Sequence, residues 1–234
     1  MLEAIILAGG FGKRLRSVIG DTPKPMAKVY GIPFLEIILS QLVKFNFTRV
    51  ILSIGYKSEI IKNHFGTQYK SIDIIYSHEE EPLGTGGAIK KSLNLLKSHY
   101  AFVFNGDTFL DLDINIANKY WLNNKKPTVV GKYIANTTRY GFLEVQNKKV
   151  LKFVEKPKIP LSGFVNCGVY IFSKNDLKKV PFDSFSIEYD YFIDEAKKEN
   201  LMFFESCGLF IDIGIPEDYE LAQSLLKPIA EKLN

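Results

Sequence analysis

Cysteine is scarce in this 234-residue chain: only Cys167 and Cys207 occur. Two cysteines cannot build a disulfide framework, and these lack the paired spacing of a zinc site. They read as small buried hydrophobes and agree with a reducing compartment. Histidine is scarce too, and His64, His78 and His99 belong to no recognisable Ser-His-Asp or Cys-His pattern; they read as surface residues. No segment approaches ~18 consecutive apolar residues, so no membrane-spanning helix is expected. The apolar run after Met1 is too short for a secretory signal, and its only early charge is an acid, Glu3. A cytoplasmic protein is therefore expected. The net charge is +4, but the lysines are scattered. Without a basic stripe, no nucleic-acid partner is indicated, whereas a mild cationic excess suits small anionic substrates. There is no repeat, no low-complexity tract and no linker rich in Pro, Gly or Ser. With 46% hydrophobic and 24% charged residues, the chain has the composition of a globular protein.

Strand-like and helix-like segments alternate through the first half. Glu3 to Leu7, Arg49 to Ile54, Ile72 to Tyr76 and Ala101 to Phe104 are short apolar runs that read as strands. Between them, Pro33 to Phe47, Ser58 to Phe65 and Gly86 to Lys97 have helical spacing, with Pro33 near the first helical position and Ser58 as an N-cap. This β-α-β-α-β order predicts a parallel, doubly wound sheet. Beyond Lys126 the pattern changes. Thr128 to Ile134, Gly141 to Gln146, Val150 to Glu155, Phe164 to Phe172, Met202 to Ser206 and Leu209 to Ile213 read as strands; Asp190 to Glu199 and Pro216 to Leu226 read as helices. One domain over residues 1–234 is expected, with residues 1–126 as one lobe and 127–234 as a second, the sheet continuing through both.

Ligands of parallel sheets sit beyond the carboxyl ends of the strands, which selects a few segments. The first is LAGGFGKRL, Leu7 to Leu15. It is not the dinucleotide fingerprint, which would need glycine at 15, nor a P-loop, which would need glycine at 7 and serine or threonine at 14. Gly9, Gly10 and Gly12 allow backbone N–H groups to approach an anion, and Lys13 and Arg14 add charge; a tight turn with solvated cations reads equally well from the same residues. Lys24 stands between Pro23 and Pro25, which restrict its backbone, as they also would in a rigid surface turn. In EEEPLGTGGA, Gly84, Gly86 and Gly87 open a helix whose exposed backbone would let a flat ring pack. Asp107 follows Asn105-Gly106, and Asp212 lies in an apolar strand, FIDIG. Acids in such places are costly unless bound to a cation, and the pair is expected to share one Mg²⁺. Glu155 and Lys156 end another strand, where Glu155 can accept sugar hydroxyls and Lys156 can hold a phosphate; the alternative is an exposed ion pair of little energy.

The ordered set LAGGFGKRL, PKP, EPLGTGGA, NGD, EKP and DIGIPEDY, from Ile5 to about Tyr219, resembles the sugar-1-phosphate nucleotidylyltransferases. The stretch EPLGTGGAIK narrows the likeness to short guanylyltransferases acting on D-glycero-D-manno-heptose 1-phosphate; mannose-1-phosphate guanylyltransferases share part of it. The resemblance implies an α/β fold: a Rossmann-like, GT-A-like αβα sandwich with a mixed, mainly parallel sheet and an added antiparallel sugar-binding part. It also implies roles. Leu7, Ala8, Gly9, Gly10, Gly12, Lys13 and Arg14 would bind GTP or another nucleoside triphosphate, with Gly9, Gly10, Gly12 and Arg14 at its phosphates. Leu83, Gly84, Thr85, Gly86 and Gly87 would bind base and ribose, with Asn105 and Gly106 beside them. Lys24 would sit at the reacting α-phosphate, and Asp107 and Asp212 would hold Mg²⁺. Tyr140, Gly141, Glu155, Asn166 and Glu188 would line the sugar pocket, and Lys156 would bind the sugar phosphate. Family members often have threonine in place of Lys13 and of Ile215. The chain ends soon after the last motif, so a single activity is expected, with a homo-oligomer possible.

The implied reaction joins a nucleoside triphosphate to a sugar 1-phosphate and releases pyrophosphate. A phosphate monoester has a second pKa near ~6, so the nucleophile is already ionised at neutral pH and no general base is needed. That agrees with the lack of a histidine or serine constellation. The remaining difficulty is repulsion between two anions, which Arg14, Lys24, Lys156 and a metal would offset. For the base, Glu79, Glu80 and Glu81 stand near the glycine loop, and Glu81 is favoured as acceptor for guanine N–H groups. Three rivals remain: another sugar-1-phosphate nucleotidylyltransferase, for mannose, glucose or an amino sugar; a glycosyltransferase, for which Asp111-Leu112-Asp113 has the Asp-x-Asp spelling; and a non-catalytic subunit of the same fold, which would tend to lose the cations and acids present here.

Overall fold

The structure, a computed structural model, describes residues 1–10 and 12–233; the side chain of Lys13 also lies outside the described set. Its strands are β1 (Leu2–Leu7), β2 (Lys28–Val29), β3 (Ile32–Pro33), β4 (Phe47–Ile54), β5 (Gln68–Tyr69), β6 (Ile72–His78), β7 (Tyr100–Asn105), β8 (Thr108–Leu110), β9 (Thr128–Ile134), β10 (Gly141–Gln146), β11 (Lys149–Glu155), β12 (Gly163–Ser173), β13 (Met202–Glu205) and β14 (Phe210–Asp212). The helices are α1 (Arg16–Ile19), α2 (Phe34–Lys44), α3 (Ser58–Phe65), α4 (Gly84–Leu93), α5 (Ile114–Asn124), α6 (Ile193–Lys197), α7 (Pro216–Leu225) and α8 (Lys227–Ala230).

Ten strands form one mixed sheet in the order β10-β11-β13-β9-β12-β7-β1-β4-β6-β5. The block β7-β1-β4-β6 is parallel, as the alternating first half predicts. Strand β12 runs antiparallel to β7 and carries the sheet into the second half. Both faces of the parallel block are covered, so its strands read as near-continuous apolar runs. On β1, Ala4 and Ile6 face the layer that contains Phe34, Ile37, Ile61 and Trp121. Ile5 faces the opposite layer with Ile89 and Leu93 of α4 and Phe192 beside α6. At the amino ends of the strands, the fully buried Glu3 carboxylate meets Arg49 Nη1 at 2.7 Å. Burial raises the Glu3 pKa, but hydrogen bonds from Ser98 and Arg49 outweigh it and hold the carboxyl below its ordinary value.

Several elements differ in detail from the sequence reading. Helix α2 starts at Phe34, with Pro33 at the N-cap. Ser58 is not a cap: Lys57, in the left-handed region at φ 51°, takes that position, and no side chain caps α3. Helix α4 begins earlier, at Gly84. The segment read as a helix from Asp190 starts with a π-helical turn, Glu188–Phe192, before α6. Helix α5 was not anticipated. It buries only Ile114, Ala117 and Trp121, and its N-cap is Asp113, whose carboxylate accepts the N–H groups of Asn115 and Ile116. The Asp111-Leu112-Asp113 spelling is therefore a helix start.

Candidate active site

From β1 the chain winds outward through β4 and β6, then returns to the other side of β1 as β7. Leu7 ends β1 between Ser53 of β4 and Asn105 of β7. The connections diverge here, which opens a crevice at the carboxyl ends of the strands. A cavity of about 660 Å³ occupies it, walled by Leu7, Gly9, Gly10, Gly12, Arg14 and Lys24, and further by Gly84, Thr85, Asn105 and Asp107. A second cavity of about 330 Å³ lies under the antiparallel part of the sheet. Arg14, Asn105 and Gly214 border both, so the two spaces meet along one wall.

The glycines of the first loop have distinct jobs. A Cβ at Gly9 would stand 2.8 Å from Glu79 Oε1, and one at Gly12, where φ is +58°, would stand 3.0 Å from Lys24 Cβ. Gly12 thus lets the loop pass directly over Lys24. The chain after Arg14 is anchored through Asp21, which accepts from Arg16 Nη2 at 2.8 Å, from the Tyr56 hydroxyl at 2.5 Å and from Lys57. Lys24 itself opens a 3-10 turn between Pro23 and Pro25 and is 8% exposed.

Asp107 and Asp212 come together through a short ribbon. β8 pairs antiparallel with β14, Thr108 opposite Asp212, and the Ile213 N–H donates to the Asp107 carbonyl at 3.0 Å. Lys24 Nζ reaches Asp107 Oδ2 at 2.5 Å and Asp212 Oδ1 at 3.8 Å. Burial, then repulsion from Asp107, pushes the Asp212 carboxyl up to about 6, against the opposing pull of Lys24. Two carboxylates with this demand for positive charge suit Mg²⁺, a hard cation that takes one or two carboxylates and completes its shell with substrate phosphate and water. Among the described residues no cluster of three or more His, Cys, Asp or Glu side chains is suited to a metal ion; the donor set is these two acids.

The second cavity gathers Tyr140, Gly141, Glu155, Lys156, Asn166 and Glu188, together with Asp212. Gly141 pairs with Glu155 across β10 and β11, and a Cβ on Gly141 would lie 2.9 Å from Glu155 Oε2. Asn166 stands at an irregularity of β12, where Gly168 adopts φ +66° and its N–H donates to Asn166 Oδ1 at 2.9 Å; such bulges re-aim side chains into sites. Burial raises the pKa of Glu155, partly offset by Lys156, whose Nζ is 3.5 Å away. Burial also pushes the Tyr140 hydroxyl up to about 12.

Other expected residues fall elsewhere. Ala8 is buried and its N–H is spent on the Ser53 carbonyl at 2.7 Å. Gly106 is packed on the chain after β1, its N–H donating to the Leu7 carbonyl at 2.9 Å. Leu83 does not line the first cavity. Gly86 and Gly87 are buried and cannot offer backbone to a ring, because a Cβ on Gly86 would overlap the Phe185 ring and one on Gly87 the Asp183 carbonyl. Glu81 is exposed and off the cavity wall, whereas Glu79 is on it. The Glu79 carboxylate is held by Ser53 Oγ at 2.9 Å and by the Leu83 N–H at 3.1 Å. The side chain of Lys13, named with the nucleotide-binding residues, lies outside the described set. Sequence reasoning missed Tyr56 and His78 in the first cavity and Arg139 in the second. The strand-end rule would have found Tyr56, two residues past the end of β4. Arg139, held by Asp218 Oδ1 at 3.0 Å, was signalled only by standing next to Tyr140.

Comparison with known proteins bears on the family and the fold. The family model described as nucleotidyl transferase matches residues 3–226. The D-glycero-alpha-D-manno-heptose 1-phosphate guanylyltransferase of Campylobacter jejuni is 40% identical, over 93% of this chain and 97% of its own. The protein of the same name from Aneurinibacillus thermoaerophilus is 41% identical, over 97% and 99%. Among solved structures, HddC from Yersinia pseudotuberculosis complexed with GMP-PN superposes with a TM-score of 0.85 at 35% identity, over 97% of this chain and all of that one. With fold, motif order and whole-length similarity in agreement, the chain belongs to the nucleotidyl transferase family.

Proposed function

We propose that this enzyme transfers the guanylyl group of GTP to D-glycero-α-D-manno-heptose 1-phosphate, giving GDP-heptose and pyrophosphate. The observation that carries this reading is the meeting of two cavities, one walled by a glycine loop and the other by sugar-binding groups, at a shared wall of Arg14, Asn105 and Gly214. The substrates named for the 40% and 41% identical relatives supply the sugar and the base.

A phosphate oxygen of the sugar 1-phosphate attacks the α-phosphorus of GTP, and the bond to the β-phosphate oxygen breaks. In this assignment the N–H groups of Gly9, Gly10 and Gly12 cradle the departing phosphates, and Arg14 offsets their charge. Lys24, held under Gly12, stands at the reacting phosphate. Lys156 and Arg139 hold the sugar phosphate, while Glu155, Asn166 and Glu188 accept from or donate to sugar hydroxyls. Bound between Asp107 and Asp212, Mg²⁺ would neutralise phosphate charge at the reacting centre. The nucleophile enters already ionised, so alignment and charge neutralisation supply the catalysis. Residues 1–126 would serve the nucleotide and residues 127–234 the sugar phosphate, within one domain. Among the described residues no helix is long and apolar enough to cross a membrane.

Glu79, rather than Glu81, is assigned to the guanine N–H groups, because its carboxylate is both fixed and on the cavity wall. The test is pyrophosphate release over four nucleotides and a panel of sugar 1-phosphates that includes mannose and glucose. Highest kcat/KM for GTP with the heptose supports the reading, and preference for another sugar reassigns it. If Glu79→Gln leaves the preference for GTP over ATP and UTP unchanged, the base assignment is wrong.

A further inference from the structure

In the GTGG segment that opens α4, Gly84 and Thr85 border the first cavity, whereas Gly86 and Gly87 do not. The N–H groups of Gly86 and Gly87 both donate to the Phe185 carbonyl, at 2.9 and 3.4 Å, and the Phe185 N–H donates back to Leu83 at 2.9 Å. Farther along α4, Lys90 Nζ binds the Val180 and Phe182 carbonyls at 3.1 and 3.0 Å and the Asp183 carboxylate at 3.0 Å. The bare backbone of Gly84, Gly86 and Gly87 is what lets this loop lie so close. Helix α4 therefore grips the chain from Val180 to Ile187, which leads directly into Glu188.

Thr85 is the last link. Its hydroxyl accepts from the Ile187 N–H at 2.9 Å and donates to Glu188 Oε2 at 2.7 Å. Ser186 Oγ donates to the same oxygen at 2.8 Å. Two hydroxyls thus fix one carboxylate oxygen, leaving Oε1 for a substrate. Thr85 also lines the nucleotide cavity, and Glu188 lines the second one. The side-chain bonds of Thr85 run to Glu188 and Ile187, on the side of the second cavity, although the residue borders the first.

We infer that Thr85 is a positioning residue for the sugar: it orients Glu188 in the sugar pocket and ties that pocket to the wall of the nucleotide site. This inference rests on the nucleotidylyl-transfer reading and adds a specificity element to it. A hydrogen bond to a charged group is worth roughly ten- to hundredfold in an equilibrium constant. Thr85→Val keeps the shape and removes the hydroxyl. It should raise KM for the heptose 1-phosphate by about tenfold or more, a larger factor than any change in KM for GTP, and narrow the discrimination against mannose 1-phosphate.

The experiment is steady-state pyrophosphate release by the full chain, varying each substrate in turn, for wild type, Thr85→Val, Thr85→Ser, Glu188→Gln and the Thr85→Val/Glu188→Gln double variant. Recovery of sugar KM in Thr85→Ser, and a double variant no worse than Glu188→Gln alone, support the inference. A Thr85→Val enzyme with unchanged sugar KM, one impaired only toward GTP, or additive single effects would each overturn it. A wild-type protein that releases no pyrophosphate with any pair overturns the reaction and this role together. An active wild type with an unmoved Thr85→Val overturns the positioning role alone.

Discussion

Replacing Lys24 by methionine tests the proposed reacting centre most directly, because the side chain has a job in the proposed mechanism and another in the structure. Methionine keeps the length and removes the charge. Chemically, deleting one preorganised charge at a site of developing charge costs roughly 10²–10³ in kcat, so turnover should fall by about that factor while KM for the sugar 1-phosphate changes little. Structurally, the variant leaves two carboxylates facing each other without the ammonium that stands 2.5 and 3.8 Å from them. Breaking a fully buried pair costs about 3–5 kcal/mol. Here the Lys24 side chain is 10% exposed but Asp107 and Asp212 are 33% and 32% exposed, so solvent screens them and roughly 1–3 kcal/mol remains. For a chain of this size that is about 2–12 °C in Tm, read by thermal unfolding without divalent ions. Mg²⁺ should then raise the Tm of the variant more than that of wild type, since it restores the lost positive charge. A Lys24→Met protein with wild-type kcat, or one equally stable and equally responsive to Mg²⁺, refutes the placement of Lys24 at the centre.

Three further outcomes are expected. Asp107→Asn and Asp212→Asn should each lose about a hundredfold or more in turnover at saturating Mg²⁺ with unchanged circular dichroism; near wild-type rates for both would remove the metal assignment. Glu155→Gln should lose sugar affinity yet gain stability at neutral pH. Burial raises the folded-state pKa of Glu155, so its contribution to stability is present at low pH and declines as pH rises through that raised value. The Tm advantage of the variant should therefore shrink on acidification, and an advantage that grew instead would reverse the sign. Arg49→Met strips the fully buried Glu3 carboxylate of its cation and should cost about 3–5 kcal/mol in denaturant unfolding, without changing either substrate's KM in the folded enzyme.

Much of the frame is legible in the sequence because parallel strands covered on both faces must be apolar throughout. The runs at Leu2–Leu7, Phe47–Ile54, Ile72–His78 and Tyr100–Asn105 announce themselves in this way, and their order then points to one end of the sheet. The motifs at that end could be found by position alone. What could not be read is which way a residue faces once neighbours arrive. Gly86 and Gly87 have the spelling of an open helix start, yet a loop about a hundred residues away fills the space above them. Glu79 and Glu81 differ by two positions, and only the packing against Gly9 and Ser53 separates the fixed carboxylate from the solvated one. Helix α5 escaped because a strip of three buried residues, Ile114, Ala117 and Trp121, hardly stands out from its polar surroundings. The partnership of Asp107 with Asp212 was inferred from cost, since an acid among apolar residues needs a counter-charge, and the ribbon of β8 with β14 is the means by which it is met.

The wall common to both cavities has a consequence for direction. Groups that stand between two anions stabilise the in-line arrangement whichever of them arrives and whichever departs. Arg14, which borders both spaces, and Lys156, which borders the second, would serve pyrophosphate as an incoming nucleophile as well as an outgoing product, with the sugar phosphate as its counterpart. One phosphoanhydride is exchanged for another, so little free energy separates the two sides. The protein can therefore set the rate of approach to equilibrium but not its position, and net synthesis depends on other reactions that remove a product.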